Sequence, residues 1–131
     1  LRDRKKQLIE VAERLEEQTA LAITVEGEMI SPRIRPASAI GLYRIAQEAI
    51  TNTLKHASAT KARIIIESLP ATVKMTIQDN GKGFDLQENL RTPKLSWGIS
   101  LLYERARMLG GELIITSTPE NGTTIEVNIP R

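Results

Sequence analysis

Four short polar segments restrict what this 131-residue chain can fold into, because each stands at the end of a predicted element or on one face of it. Gln47-Glu48-Ala49-Ile50-Thr51-Asn52-Thr53-Leu54-Lys55-His56 lies on a helix pattern. Asp79-Asn80-Gly81-Lys82-Gly83-Phe84 follows a strand pattern. Trp97-Gly98-Ile99 opens a second long helix pattern, and Asn121-Gly122-Thr123-Thr124 opens a last strand. Alone, each has an ordinary structural reading: a solvated helix face, a tight turn, a helix start, a hairpin turn. In this order within one short chain they are hard to produce by chance, and all four could face a common ligand.

The elements between them are legible. Leu1 to about Gln18 reads as an amphipathic helix with Leu1, Leu8, Ala12 and Leu15 on one stripe. Ala20 to Val25 reads as a short strand, and Glu26 to Pro36 as a loop bearing Gly27, Pro32 and Pro36. A helix starts near Pro36, since proline is tolerated in a first helical turn, and runs to about Ala57. Ile40, Tyr43, Ile45, Ala49, Ile50 and Leu54 supply its apolar surface. Lys61–Ser68 and Thr72–Gln78 are strand patterns around Leu69-Pro70-Ala71, an antiparallel hairpin. Asp85 to Ser96 is polar and irregular, and Pro93 argues against a continuous helix there. Gly98 to Leu109 reads as a third long helix closed by Gly110-Gly111, which suit a left-handed helix end. Glu112–Thr118 and Thr123–Ile129 form a final strand pair. Helices segregated from a mostly antiparallel sheet predict an α+β fold: a two-layer α/β sandwich with helices on one face, a single domain over 1–131.

Bulk properties remove several function classes. Eighteen basic and 16 acidic residues leave a net charge of +2, spread along the chain, which is no nucleic-acid footprint. The absence of cysteine removes disulfides and thiolate metal sites. No apolar stretch approaches membrane-span length and no secretory signal is visible, so a cytoplasmic location is the expectation for this piece. The chain begins at Leu1, and a longer parent is expected; whether a membrane sensor region lies upstream stays open. His56 is the only histidine; it cannot build a His-rich metal site, and no elbow motif supports a Ser-His-Asp triad. With neither GxxxxGK[ST] nor GxGxxG present, a P-loop or Rossmann fold does not account for the glycines.

Glu48 and Asn52 are four apart and share a helix face. A hard divalent cation such as Mg²⁺ takes few protein oxygens plus phosphate oxygens, which a carboxylate and an amide carbonyl suit. Lys55 and His56, one turn later, can donate to phosphate. Asp79 can accept from the exocyclic amine of adenine; guanine presents a carbonyl there, a costly mismatch. Gly81 and Gly83 let backbone approach a flat ring. Gly98, at a helix start, reads as the stop of a mobile segment with backbone amides turned to phosphate.

The four segments resemble the N, G1, G2 and GT boxes of the ATP-binding module shared by sensor histidine kinases, DNA gyrase, Hsp90-type chaperones and MutL-type repair proteins. Leu42 to Ala57, Gly98-Ile99 with Tyr103 to Gly111, and Gly122 to Pro130 are similar to one kinase subgroup, the nitrate-, competence- and desaturase-type sensors paired with NarL-type response regulators. The resemblance implies Mg²⁺ and ATP as cofactors, with Asn52 ligating the metal and Glu48 assisting it, the pair acting catalytically with Lys55. Lys55 and His56 would lie near the phosphates, Asp79 would read adenine, and Gly81 and Gly83 would shape the base pocket. Asp85–Ser96 would be the ATP lid, Gly98-Ile99 its end, and Thr123 would line the adenine side. Ser96 and Leu101 stand where relatives often carry glycine and would stiffen the lid. Trp97 would anchor the loop or pack over the ligand.

The function implied is donation of the ATP γ-phosphate to a histidine on a separate dimerisation domain of the same kinase, with a response regulator downstream. His56 lies inside the cleft so defined, so the piece alone is expected to bind ATP without phosphorylating itself, as a monomer, touching neither nucleic acid nor membrane. An anti-sigma-factor-type serine kinase and a non-catalytic interaction module on the same fold stay open as alternatives.

Overall fold

Residue-by-residue alternation of apolar and polar side chains builds a five-stranded mixed sheet, in a computed structural model that describes residues 4–19, 22–27, 36–57, 59–82 and 93–130. The side chains of 4–8, 18–19, 52–57 and 93–96 lie outside that description. In chain order the elements are α1 (Arg4–Thr19), β1 (Ala22–Gly27), α2 (Pro36–Ala57), β2 (Lys61–Ser68), β3 (Thr72–Asp79), α3 (Pro93–Met108), β4 (Glu112–Ser117) and β5 (Thr123–Pro130). The strand order is β1-β2-β3-β5-β4. Only β1 and β2 are parallel, as their connection through α2 requires; the other three pairings are antiparallel. The expected α+β architecture is the one observed.

One face of the sheet is apolar in successive rows. Ile64, Ile77, Ile125 and Ile115 make one row, and Ile66, Met75, Val127 and Leu113 the next; all are buried. The helices cover this face, joining Ala12 and Leu15 of α1, Leu42, Ile45, Ala49 and Ile50 of α2, and Ile99, Leu102 and Ala106 of α3 into the same cluster. Each buried Leu, Ile or Met contributes about 1.5–3 kcal/mol relative to exposure, which decides the face the helices take. The opposite face carries Lys61, Arg63, Glu67 and Glu112, all exposed. There Lys74 Nζ lies 3.0 Å from Glu126, whose hydrogen bond holds the ammonium pKa above the usual lysine value.

Several expected boundaries move. β1 is described from Ala22 and continues to Gly27, two residues beyond the expected end, because Val25, Glu26 and Gly27 pair with Ile64, Ile65 and Ile66. Ile40 is 50% exposed rather than core; Ala39, Leu42 and Ala46 are buried in α2 beside Ile45 and Ala49. The largest correction concerns α3, which begins at Pro93 instead of Gly98. Proline has its φ preset for the first helical turn and lacks only an N–H that would go unpaired there. Pro93 therefore opens the helix, and Gly98 falls in its second turn. Of the expected lid, residues 85–92 lie outside the described residues and 93–96 are helical. The other end of α3 agrees with expectation. Gly110, at φ 77°, sends its N–H to the Arg107 carbonyl (2.9 Å), and Gly111 sends its N–H to Ala106 (3.0 Å), the paired bonds of a Schellman cap.

Candidate nucleotide site

The apolar rows end abruptly. Continuing the register of β3 with β5 beyond Gln78↔Thr124 places Asp79 opposite Thr123, and Thr123 pairs directly with Ser117 of β4. Ala62 pairs with Asp79 on the other side. The row at this end of the sheet thus reads Ala62, Asp79, Thr123, Ser117: three polar side chains on the helix-facing side, one step from the row of four isoleucines. Period-2 alternation forces all three onto that face. Burying polar groups costs free energy unless they find partners, and these do. Thr123, 6% exposed, shares a 2.8 Å hydrogen bond with Ser117 Oγ. Asp79 Oδ1 accepts the Gly81 N–H at 2.7 Å, an Asx turn that fixes the carboxylate.

The loops at this end are tied together. Asn80 Oδ1 accepts from the N–H groups of Thr60 and Lys61 (both 2.9 Å), while its Nδ2 donates to Thr60 Oγ1 at 2.8 Å. Asn80 therefore clips the start of β2 to the end of β3. Asn80→Ala is expected to cost about 1–2 kcal/mol, read as a lower midpoint in chemical denaturation, with a smaller effect on ligand affinity than changes at Asp79. Glu120, at φ 70°, donates its N–H to the Lys82 carbonyl and links the Gly81 turn to the β4–β5 turn. In that turn Asn121 Nδ2 donates to Thr118 Oγ1 at 2.9 Å. A hollow of about 490 Å³ at this end of the sheet is lined by Ala22, Thr24, Lys61, Arg63, Gln78 and Asn80 with Ala62 and Asp79, so it opens chiefly on the face turned away from the helices and not over the polar row.

Asp79, Gly81 and Thr123 are thus brought together. Ile99 is buried in the cluster that also holds Ile77 and Ile125, and Gly98 is buried beside it in α3. Gly98 does not stand at a helix N-terminus: five residues precede it in the helix, so the free amides of α3 belong to its first turn. Ser96 and Leu101, expected to stiffen a lid, are helical positions, where glycine would cost about 1 kcal/mol. Trp97 is 73% exposed and lines a shallow hollow with Ser100, Leu101 and Glu104.

Glu48 is half-buried on α2, with Oε1 3.7 Å from Arg105 Nη2 of α3. Both groups are about a third exposed, so the pair is worth well under about 1 kcal/mol. Arg105 Nε is buried without a hydrogen-bond partner among the described residues. Asn52, Lys55 and His56 lie in the last turns of α2, their side chains outside the description; Gly83 lies outside the described residues altogether. No group of three or more metal-ligating His, Cys, Asp or Glu residues occurs among the described residues. An oxygen-only pair, Glu48 with Asn52 one turn on, fits Mg²⁺, which needs few protein ligands. Sequence reasoning missed Ser117 and Arg105 as neighbours of Thr123 and Glu48. The signal for Ser117 was present as the shared alternation of Leu113, Ile115 and Ser117.

Fold and site together define an ATPase module of the kind built on an α/β sandwich, and comparison with known proteins agrees. Residues 37–131 match the model of the histidine kinase-, DNA gyrase B- and HSP90-like ATPase family, and the chain belongs to that family. It is 43% identical over 91 residues to the signal transduction histidine-protein kinase/phosphatase DegS of Brevibacillus brevis, covering 70% of this chain and 23% of that protein. It is also 43% identical over 89 residues to the sensor protein VraS of Staphylococcus aureus, covering 68% of this chain and 25% of that protein. The chain thus spans about a quarter of the length of these relatives. The ATP-binding domain of PrrB from Mycobacterium tuberculosis shares the fold with a TM-score of 0.75 at 23% identity, covering 98% of this chain and 94% of that one. The histidine kinase domain of the Erythrobacter litoralis EL346 blue-light activated kinase does so at TM-score 0.75 and 20% identity, over 98% of this chain and 61% of that one. No helix among the described residues is long and apolar enough to cross a membrane.

Proposed function

We propose that this chain is the ATP-binding catalytic domain of a two-component sensor histidine kinase, presenting the γ-phosphate of ATP to a histidine on the dimerisation domain of the same protein. The observation that carries this reading is the polar row Asp79–Thr123–Ser117, set at the end of an otherwise apolar face and fixed by the Gly81 amide. A carboxylate held there accepts from the adenine amine and disfavours the guanine carbonyl. Gly81 and Gly83 leave room for the ring, Thr123 lines it, and Gly98 and Ile99 bring α3 against the nucleotide.

Toward the phosphates, Asn52 and Glu48 would hold Mg²⁺, and Lys55 and His56 would donate to phosphate oxygens. The metal, when bound, neutralises phosphate charge. Phosphoryl transfer asks the protein chiefly for positioning and charge neutralisation, which these residues supply. The segment between β3 and α3 closes over the nucleotide and excludes water. The nucleotide side is cytoplasmic, and a response regulator receives the phosphate.

Titration of Mg²⁺-ATP and Mg²⁺-GTP into the purified chain, by calorimetry and by fluorescence of the exposed Trp97, tests the reading. ATP-selective binding is expected, and silence at millimolar ATP would sink it. With labelled ATP the chain alone should acquire no acid-labile phosphate, because the acceptor histidine lies on another domain. Adding the dimerisation domain of the parent kinase should produce the label. Stoichiometric self-labelling of this chain would place the acceptor here instead.

A further inference from the structure

The hollow on the bare face of the sheet has no part in the reading above. At about 490 Å³ it falls within the size range of small-molecule pockets. Strand register puts Ala22 of β1 beside Lys61 of β2 in one outward row, and Thr24, Arg63 and Gln78 in the next. Ala62 and Asp79, one residue out of step, turn their side chains to the helices instead. The hollow therefore lies back to back with the polar row, with the thickness of the sheet between them.

Its walls are tied down. Arg63 Nη2 pairs with Glu26 of β1, and Arg63 Nη1 reaches Gln78 Oε1 of β3 at 3.4 Å, so the guanidinium is held from both sides. Asn80 is fixed by its three hydrogen bonds to Thr60 and Lys61. Lys61 differs from both. Its exposed ammonium, a full charge with three donors, has no hydrogen-bond or ion-pair partner among the described residues. The nearby carboxylates do not neutralise it: Glu26 is committed to Arg63, and Asp79 faces the other side. Around that charge, Ala22, the methyl of Thr24 and the aliphatic stems of Lys61 and Arg63 supply apolar surface.

We infer that this hollow is a second ligand site and that it takes a small aromatic carboxylate, with the anion on Lys61 and the ring over Ala22 and Thr24. Each half of that ligand answers one feature of the site. A bare anion meets the ammonium but leaves the apolar surface wet, and an exposed charge pair alone is worth little. An uncharged ring covers the surface and leaves the ammonium unmatched. Fixed walls lower the ordering cost of binding, since little besides Lys61 has to be immobilised. The inference stands apart from the nucleotide reading, because the two sites occupy opposite faces of the sheet.

The experiment titrates 1-naphthoate into the ¹⁵N-labelled chain and follows the backbone amides by NMR, with naphthalene-1-carboxamide as an uncharged probe of the same shape. Saturable shifts are expected at Ala22, Thr24, Lys61, Arg63 and Gln78, with a dissociation constant of about 1 mM or tighter, the range for a ligand of this size. They should persist in millimolar Mg²⁺-ATP. The carboxamide, and naphthoate with Lys61→Gln, should each bind about threefold to tenfold more weakly, the loss of one charge-assisted contact. Thr24→Trp, an exposed strand position that tolerates an aromatic side chain, should fill the hollow and abolish the shifts while a thermal melt shows the chain folded. No saturable shift, or equal affinity for carboxylate and carboxamide, overturns the inference. So do shifts centred on Thr123 and Ile99 that ATP displaces, which would put the probe in the nucleotide site. Inorganic phosphate that produces the same shifts at the same concentration overturns the aromatic class of ligand. Failure of the chain to bind ATP would sink the nucleotide reading and leave this one standing.

Discussion

Replacing Asp79 by Asn should weaken Mg²⁺-ATP binding by about 10- to 100-fold, the range for losing a hydrogen bond to a charged group, while the domain still folds. One carboxylate oxygen is already committed to the Gly81 N–H at 2.7 Å. In the variant the amide oxygen keeps that bond, because only it can accept, and the NH₂ group is turned toward the ligand. A donor then faces the donor edge of adenine, and each is left unpaired. The same NH₂ can donate to a guanine carbonyl, so GTP affinity should rise or stay level as ATP affinity falls. Calorimetry with both nucleotides reads this directly. Parallel loss of both, with a lowered melting temperature, would mean that Asp79 serves the turn and not the base.

Gly122→Ala is expected to be the most destabilising single change in the site. Gly122 has φ 72°, a conformation that costs an alanine about 1 kcal/mol or more. A Cβ at that position would also strike the carbonyl oxygen of Asp79, closer than real Cβ atoms come, and stand 3.4 Å from its carbonyl carbon. The obstacle is the backbone of a paired strand, so it cannot yield as a flexible side chain would. Strain of the two kinds together is worth about 2–5 kcal/mol. For a domain of this length that corresponds to a melting temperature lowered by roughly 10 °C or more. Because the clash is with Asp79 itself, ATP binding should fall with it even at temperatures where the variant remains folded. A melting temperature within about 2 °C of the unaltered chain would show that β3 and β5 can separate there at little cost.

These two residues were legible in the sequence to different degrees. Asp79-Asn80-Gly81 announced a turn after a strand, and the turn is there; its type of chemistry is local, carried by short side chains that bond their own backbone. The same stretch gave no hint that Asn80 reaches back to Thr60 and Lys61, since that contact depends on which strand lies alongside. Gly122 could be dismissed as hairpin punctuation until the approach of the Asp79 carbonyl supplied the stricter reason. Pro93 misled because a proline is compatible with either the end or the first turn of a helix. The structure places the first turn at Pro93, with Leu102 and Ala106 packed into the core. The spacing puts Glu48 on one helix face with Asn52, but its contact with Arg105 required knowing that α3 crosses α2 at that level.

The sequence by itself determined the elements and their faces: three helical periods, two hairpins, the apolar alternation of β2, β3, β4 and β5, and the glycines at the α3 end. These are properties of a few neighbouring residues, and the physics that reads them is short-ranged. The tertiary structure alone decided that Asp79, Thr123 and Ser117, from three different strands, fall in one row on the covered side. Register has that power because a slip of one residue moves every side chain of a strand to the opposite face. The choice of register is made by the buried rows of Ile64, Ile77, Ile125 and Ile115 and their neighbours, so the apolar core sets where the polar site stands.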